Sequence, residues 1–413
     1  MKSITRYIIG VSFILYGLTI NAKTINVCRS CEVSSIKQAI IIAGDFDSII
    51  VKKGIYKESE IIIDKPLTII GNNYPVIDGE SSGEIINIIS DNVQIIGFKI
   101  INVGKSYIKD NAAIRVKRSS RFLIKENIFE DLFFGIYIEK SYDGVVQNNK
   151  IFGNDEQEYI SGNGVQLWYS RNILVDGNFI KNVRDGIYLE FSDNCTITNN
   201  TSTKNIRYGL HFMFSDNDNY YNNNFIDNGA GVAVMFSKKI NMFNNLFQDN
   251  WGAASYGLLL KEINDSEIKN NIFIKNTVGV NLEGSNRLIF ENNDFEKNGW
   301  GVRVRGASYN NKFKSNNFIN NSFDLSYNTD INDNSFNENY WSDYVGYDLN
   351  KDGYGDVPYR PVKLYTYIVN KAPETIVLLR SLFVELINFS EKVSPIFTPD
   401  NLLDNKPIMS IIR

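Results

Sequence analysis

The chain spends its only histidine, His211, in the stretch YGLHFMFS, two residues before Met213. A second methionine, Met235, stands at the same place in the similar stretch AGVAVMFS. One imidazole and two thioethers are soft donors, a set that suits Cu(I) better than zinc or calcium. The same neighbourhood also reads as an apolar docking surface, because Phe191, Phe214 and Phe236 recur at the next position of three successive stretches.

Three further groups of residues could carry chemistry. Cys28 and Cys31 form a C-x-x-C outside any βαβ pattern, open to a local disulfide in an oxidising compartment or to thiolate metal capture. In YDLNKDGYGDVPY, Asp348, Asn350, Asp352 and Asp356 take positions 1, 3, 5 and 9 of a calcium loop, but Tyr359 stands at position 12, where a bidentate Glu is expected. A weak calcium site and a polar turn ending the fold are both open. Glycoside chemistry asks for two carboxylates across one groove. Glu139 and Glu190 are candidates, but Trp168 falls between them in register and Glu283 is several repeats away.

These residues need a scaffold, and the sequence supplies a repeat. Segments such as NNKIFGN at Asn148, NNNFIDN at Asn222, NNLFQDN at Asn244, NNIFIKN at Asn270 and NNDFEKN at Asn292 recur, most often every 22 or 23 residues. About ten residues after each comes a Gly-led strand, among them FGIYIEKS, DGIYLEFS, YGLHFMFS and VGVNLEGS. Each half is a short period-two strand cut by Asn or Gly, too short for a helix. A unit that cannot bury its own apolar face must stack on its neighbours, which predicts an all-β parallel solenoid with recurrent Asn forming ladders in the turns. Roughly a dozen coils are expected, ending near Trp341.

Parity then assigns faces. The first and third residues after each Gly are apolar and point inward, so the second and fourth point outward. His211, Met213 and Met235 are thereby expected on the outer surface, with the two methionines stacked between adjacent coils. Met242 and Cys195 fall at core positions.

At the ends, Ser35 to Ala43 reads as a short amphipathic helix before the first strand, covering the open end of the stack. Strands are expected at 49–51, 61–63, 67–70 and 95–101. After the coils, Pro373 opens and Pro395 stops an amphipathic helix over 374–393, with Leu379, Leu382, Phe383, Leu386 and Phe389 on one face. It is interrupted by Arg380 and Glu385, so it is not a membrane span; packing on the solenoid and docking on a partner are both open. Lys2 and Arg6 before the apolar run Tyr7 to Ile20 read as a secretory signal over residues 1–22. Its removal takes the formal net charge from −4 to −6, with both signs dispersed, which argues against a nucleic-acid partner. Three cysteines are too few for a disulfide scaffold, so the core must come from burial.

The coils with YGLHFMFS and AGVAVMFS, the stretch NYWSDYVGYDLNKDGYGDVPYRPV and the tail PETIVLLRSLFVELINFSEKVSP together resemble the NosD family of periplasmic maturation proteins for nitrous oxide reductase. The resemblance covers essentially the whole chain after residue 22. It implies a right-handed parallel β-helix over 23–345, a terminal cap and linker over 346–371, and a docking helix and tail over 372–413. It further implies a non-enzymatic periplasmic subunit of an ABC-type complex with a permease and an ATPase, held at the inner membrane through the permease. Copper would arrive from a lipoprotein chaperone and leave to nitrous oxide reductase for its copper-sulfide centre. Under this reading the outward His211, Met213 and Met235 become the transfer ligands and the 379–389 face the permease dock, while Cys28 and Cys31 fall outside the family's pattern and stay open as a second capture site or a disulfide. The competing readings are a β-helix polysaccharide lyase, hydrolase or epimerase, and a metal-free scaffold.

Overall fold

The computed structural model describes residues 22–106, 108–154, 157–328, 333–393 and 402–412. The expected leader, apart from Ala22, and Pro395 lie outside these residues. The described chain winds into a parallel solenoid of three sheets with fourteen, thirteen and twelve strands, each strand pairing with its counterparts in the coils before and after it. Each coil therefore carries three strands, not the two read from the repeat. The Asn-rich half is itself two strands, for example Asn219–Tyr221 and Asn224–Ile226, bent at Asn222, whose φ is 57°. The expected strand over 95–101 is likewise split into Gln94–Ile96 and Lys99–Ile101 by Gly97 at φ 77°.

The bends explain the asparagines. The first residue of each corner is left-handed, which Asn tolerates. The second is a buried Asn whose amide nitrogen donates to the next coil: Asn223 Nδ2 to Asn245 Oδ1 at 3.0 Å, and Asn245 Nδ2 to Asn271 Oδ1 at 3.0 Å. A second ladder runs through Asn205, Asn228, Asn250, Asn276 and Asn298. Every rung donates toward the C-terminal end, so the last needs an acceptor. Asn321 Nδ2 finds Asp324 Oδ1 at 3.1 Å, and Asn339 Nδ2 finds Asp404 Oδ2 at 3.0 Å. The recurrent glycine has an equally local cause: a Cβ on Gly209 would stand 2.7 Å from the Gly231 carbonyl oxygen of the next coil. Inside, aromatic rings stack from coil to coil, as in Phe247, Phe273 and Phe295 with centroids 4.5 and 5.0 Å apart.

The ends differ from expectation. The capping helix α1 spans Ile36–Ile42, with Ser35 as its N-cap, Ala43 as its C-cap and Ile36, Ala39 and Ile40 buried. A strand, Thr24–Val27, precedes it and pairs with Ser48–Val51, so α1 follows the first strand. The far helix is broken. A short helix α2, Leu364–Lys371, stands where only a linker was expected, then a 3-10 turn Pro373–Leu378, then α3 over Leu382–Val393. Arg380 at φ 71° ends the 3-10 turn, and Ser381 accepts from the Val384 amide to restart the helix. The tail returns to close the stack: Asp404 and Ile408 bridge to Phe336 and Tyr340 of the last coil. Coils run to Trp341, and the largest sheet counts fourteen strands against the dozen coils expected.

Candidate functional site

The strand Tyr208–Met213 lies in the twelve-stranded sheet between Asp185–Glu190 and Ala230–Met235. Leu210 and Phe212 are fully buried in the core, which turns His211 and Met213 to the outer face. Met213 and Met235 are Cα register partners, neighbours in adjacent coils. Both are half-buried at the end of their strands.

His211 departs from expectation. It is on the outer face but only 5% exposed. Tyr188 stacks on its ring with centroids 4.5 Å apart, and Tyr208 packs at 4.7 Å. Its Nδ1 faces Asp185 Oδ2 at 3.5 Å. Asp185 is fully buried and is gripped by Arg207, Nε to Oδ1 and Nη2 to Oδ2, both at 3.1 Å. A carboxylate oxygen held by a guanidinium can only accept, so Nδ1 is the donor, and in the Nδ1–H tautomer the lone pair lies on Nε2. That Nε2 is buried and has no hydrogen-bond partner among the described residues. Tyr188 ties the two halves together: burial pushes its hydroxyl up to about 12, so it stays a donor, and it reaches Met213 Sδ at 3.7 Å.

Asp185, Tyr188 and Arg207 were not singled out from the sequence. They lie more than twenty residues from His211 or outside its strand, and only the coil register, Tyr188 opposite His211 and Asp185 opposite Tyr208, brings them in. The repeat spacing contained that signal, since DGIYLEFS aligns residue by residue with YGLHFMFS.

Beside the methionines runs an aromatic row. Tyr169, Phe191, Phe214 and Phe236 stack successively at 4.7, 5.1 and 5.0 Å, and all four have φ near 50°. Their faces are occupied by one another and their edges meet solvent, so the row is a ribbed apolar strip and offers no free ring face along its length for a sugar to stack on.

The other candidates are placed elsewhere. Cys28 and Cys31 are joined by a disulfide, so no free thiolate pair stands there. In the calcium-like loop the polar groups serve the backbone: Asp348 accepts from the Asp352 and Gly353 amides, Asn350 from the Asp352 amide, Asp352 from Tyr354 and Asp356 from Leu349. Among the described residues no group of three or more His, Cys, Asp or Glu side chains is positioned to hold a metal. Glu139, Trp168 and Glu190 are consecutive register partners, and Glu139 lies 3.7 Å from both Arg115 and Lys117. On α3, Val384 is buried against Tyr365 and Val369 of α2 and against Phe323. Leu382, Phe383, Leu386 and Phe389 face outward at 71, 56, 56 and 66% exposure, while Leu379, expected on the same face, is drawn into the packed side by the break at Arg380. No helix among the described residues is long and apolar enough to cross a membrane.

Comparison with known proteins agrees with this architecture. A family model described as "Right handed beta helix region" matches residues 11–180, and one described as "Periplasmic copper-binding protein (NosD)" matches residues 154–346, the coils that hold His211, Met213 and Met235. A relative from Pseudomonas aeruginosa, named "Probable ABC transporter binding protein NosD", is 28% identical over 84% of this chain and 85% of its own length. Among solved structures, the family 28 exopolygalacturonase of Yersinia enterocolitica superposes with TM-score 0.59 at 11% identity, covering 76% of this chain and 78% of that one. The Dettilon tailspike protein gives 0.55 at 14% identity; the match covers 70% of this chain and 64% of the tailspike. At such identities the two structures speak for the fold alone. The chain is thus a right-handed β-helix protein, similar to the NosD family over residues 154–346 and to a NosD relative along most of its length.

Proposed function

We propose that the chain is a periplasmic accessory protein that takes up Cu(I) as cargo and passes it to nitrous oxide reductase during assembly of the copper-sulfide centre. The observation that carries this reading is the orphaned lone pair: a buried His211 Nε2 without a partner, on the strand whose Met213 is in register with Met235. These are soft donors, and three of them on a stiff sheet leave room for an incoming protein to complete the shell. Asp185 and Arg207 set the imidazole tautomer, as carboxylates behind metal-binding histidines do. The family's description as copper-binding supports the cargo, and the relative's name supports association with an ABC transporter.

In this reading a lipoprotein copper chaperone delivers to the Met213–Met235 end, where the aromatic strip offers apolar contact. The exposed face of α3 docks the permease, and the ATPase acts from the cytoplasmic side. An anaerobic Cu(I) competition against a chromophoric chelator tests the site. Wild type should withdraw copper, and Met213→Leu with Met235→Leu, or His211→Ala, should lose it while keeping the fold. Failure of the wild type to withdraw copper, or equal withdrawal by all variants, would overturn the assignment.

A further inference from the structure

We propose that Arg303 is the centre of a carboxylate-binding site on the outer face of the twelve-stranded sheet. It stands in the outward row His211, Ala233, Leu259, Asn281, Arg303, each residue the register partner of the next. At roughly 4.8 Å per coil, Arg303 is about 19 Å from His211 along the axis. The site stands whether or not copper binds at Met213.

Arg303 is half-buried, and its guanidinium lies over the Trp300 ring, 3.5 Å from the centroid. Stacking fixes the guanidinium plane and leaves its edges to find partners. No carboxylate among the described residues pairs with it. Burial, with the neighbouring Arg305 charge, brings its pKa down to about 10. Its Nε is buried without a partner. Asn281, its register neighbour, is 1% exposed, and one amide atom is also unpartnered; an amide flip exchanges oxygen for nitrogen, so this side chain can donate. Trp300 is 8% exposed and its Nε1 is a third orphan. On the opposite side Ser326 is already engaged, its Oγ donating to Asn370 Oδ1 of α2 at 2.9 Å.

A half-buried cation whose own Nε is unpartnered and which no carboxylate among the described residues pairs lacks an anion. The Nε edge of an arginine offers two parallel N–H groups, the match for the two oxygens of a carboxylate. The carboxylate can be a small free acid or an Asp or Glu side chain of a protein lying across the sheet.

The test uses the whole chain labelled with nitrogen-15, following the Arg303 Nε–H and Trp300 indole resonances, assigned with Arg303→Lys and Trp300→Phe. Sodium succinate and a glutamate-rich octapeptide are titrated separately. Saturable shifts of both resonances are expected. Saturation by succinate assigns the site to small carboxylates as well, and saturation by the peptide alone assigns it to a protein-borne side chain. Arg305→Met, which removes the exposed neighbouring charge, should still bind. Arg303→Lys, which keeps the charge but loses the fork, should bind at least about tenfold more weakly. No shift with either probe, or equal affinity in Arg303→Lys, would overturn the site. If the Lys variant does not fold, the wild-type titration alone decides.

Discussion

His211 Nδ1 faces Asp185 Oδ2 at 3.5 Å across two coils, and the contact fixes which imidazole nitrogen is left to bind anything else. Asp185→Asn should therefore weaken Cu(I) capture by about tenfold or more without removing a donor, the usual cost of losing a carboxylate behind a metal-binding histidine. Chelator competition checks the affinity. Nitrogen-15 shifts of His211 in the metal-free protein check the tautomer separately.

Asp404 closes the main asparagine ladder. Its Oδ2 accepts from the Asn339 amide, from Asn339 Nδ2 and from Trp341 Nε1, all at 3.0 Å. Asp404→Ala leaves these buried donors unpaired and should cost about 2–4 kcal/mol, read by denaturant unfolding. Because coils contact only their neighbours, amide exchange should accelerate first in Ser335–Trp341. Asp404→Asn, which keeps an acceptor, should cost less.

Asp324 ends the other ladder at a pH-dependent cost. Burial raises its pKa from the usual 3.8 to about 7, against the opposing pull of Lys363 and Asn321. In the unfolded chain the carboxyl ionises near 3.8, whereas the folded protein holds the proton until about 7. Stability from this group is therefore fully present below about pH 4 and is lost as pH rises through 7. Asp324→Asn should flatten that decline and gain on the order of 2–4 kcal/mol at pH 8 relative to wild type. Thermal melts at pH 5 and pH 8 compare the two, and an unchanged difference between them would sink the prediction.

The two sides of α3 should separate on substitution. Changing Leu382, Phe383, Leu386 and Phe389 to Ser together should leave the melting temperature nearly unchanged, since all four are exposed, and should abolish co-purification with the permease. Val384→Ala, by contrast, should cost about 1–3 kcal/mol, because Val384 is 4% exposed. Retained co-purification in the quadruple variant would remove the docking role.

The sequence by itself determined the repeat, the parallel stacking and the face of each Gly-led residue. Period two and a coil of 22 to 23 residues leave little freedom once each unit must bury itself on the next. It therefore reached the Met213–Met235 pairing, the core places of Met242 and Cys195, and helix α1 to its caps. The count of three strands per coil was hidden, because the corner Asn222–Asn223 sits inside a segment that looks continuous in one dimension. Tertiary structure alone decided the environment of His211. Parity says which way a side chain points, not what covers it, and Tyr188, Asp185 and Arg207 arrive from coil packing. The same holds for the last helix, where Arg380 breaks a run of good helix formers at a positive φ and turns Leu379 from the outer face to the packed one. It holds too for Asp404, whose role exists only because a ladder of donors running one way must end on an acceptor.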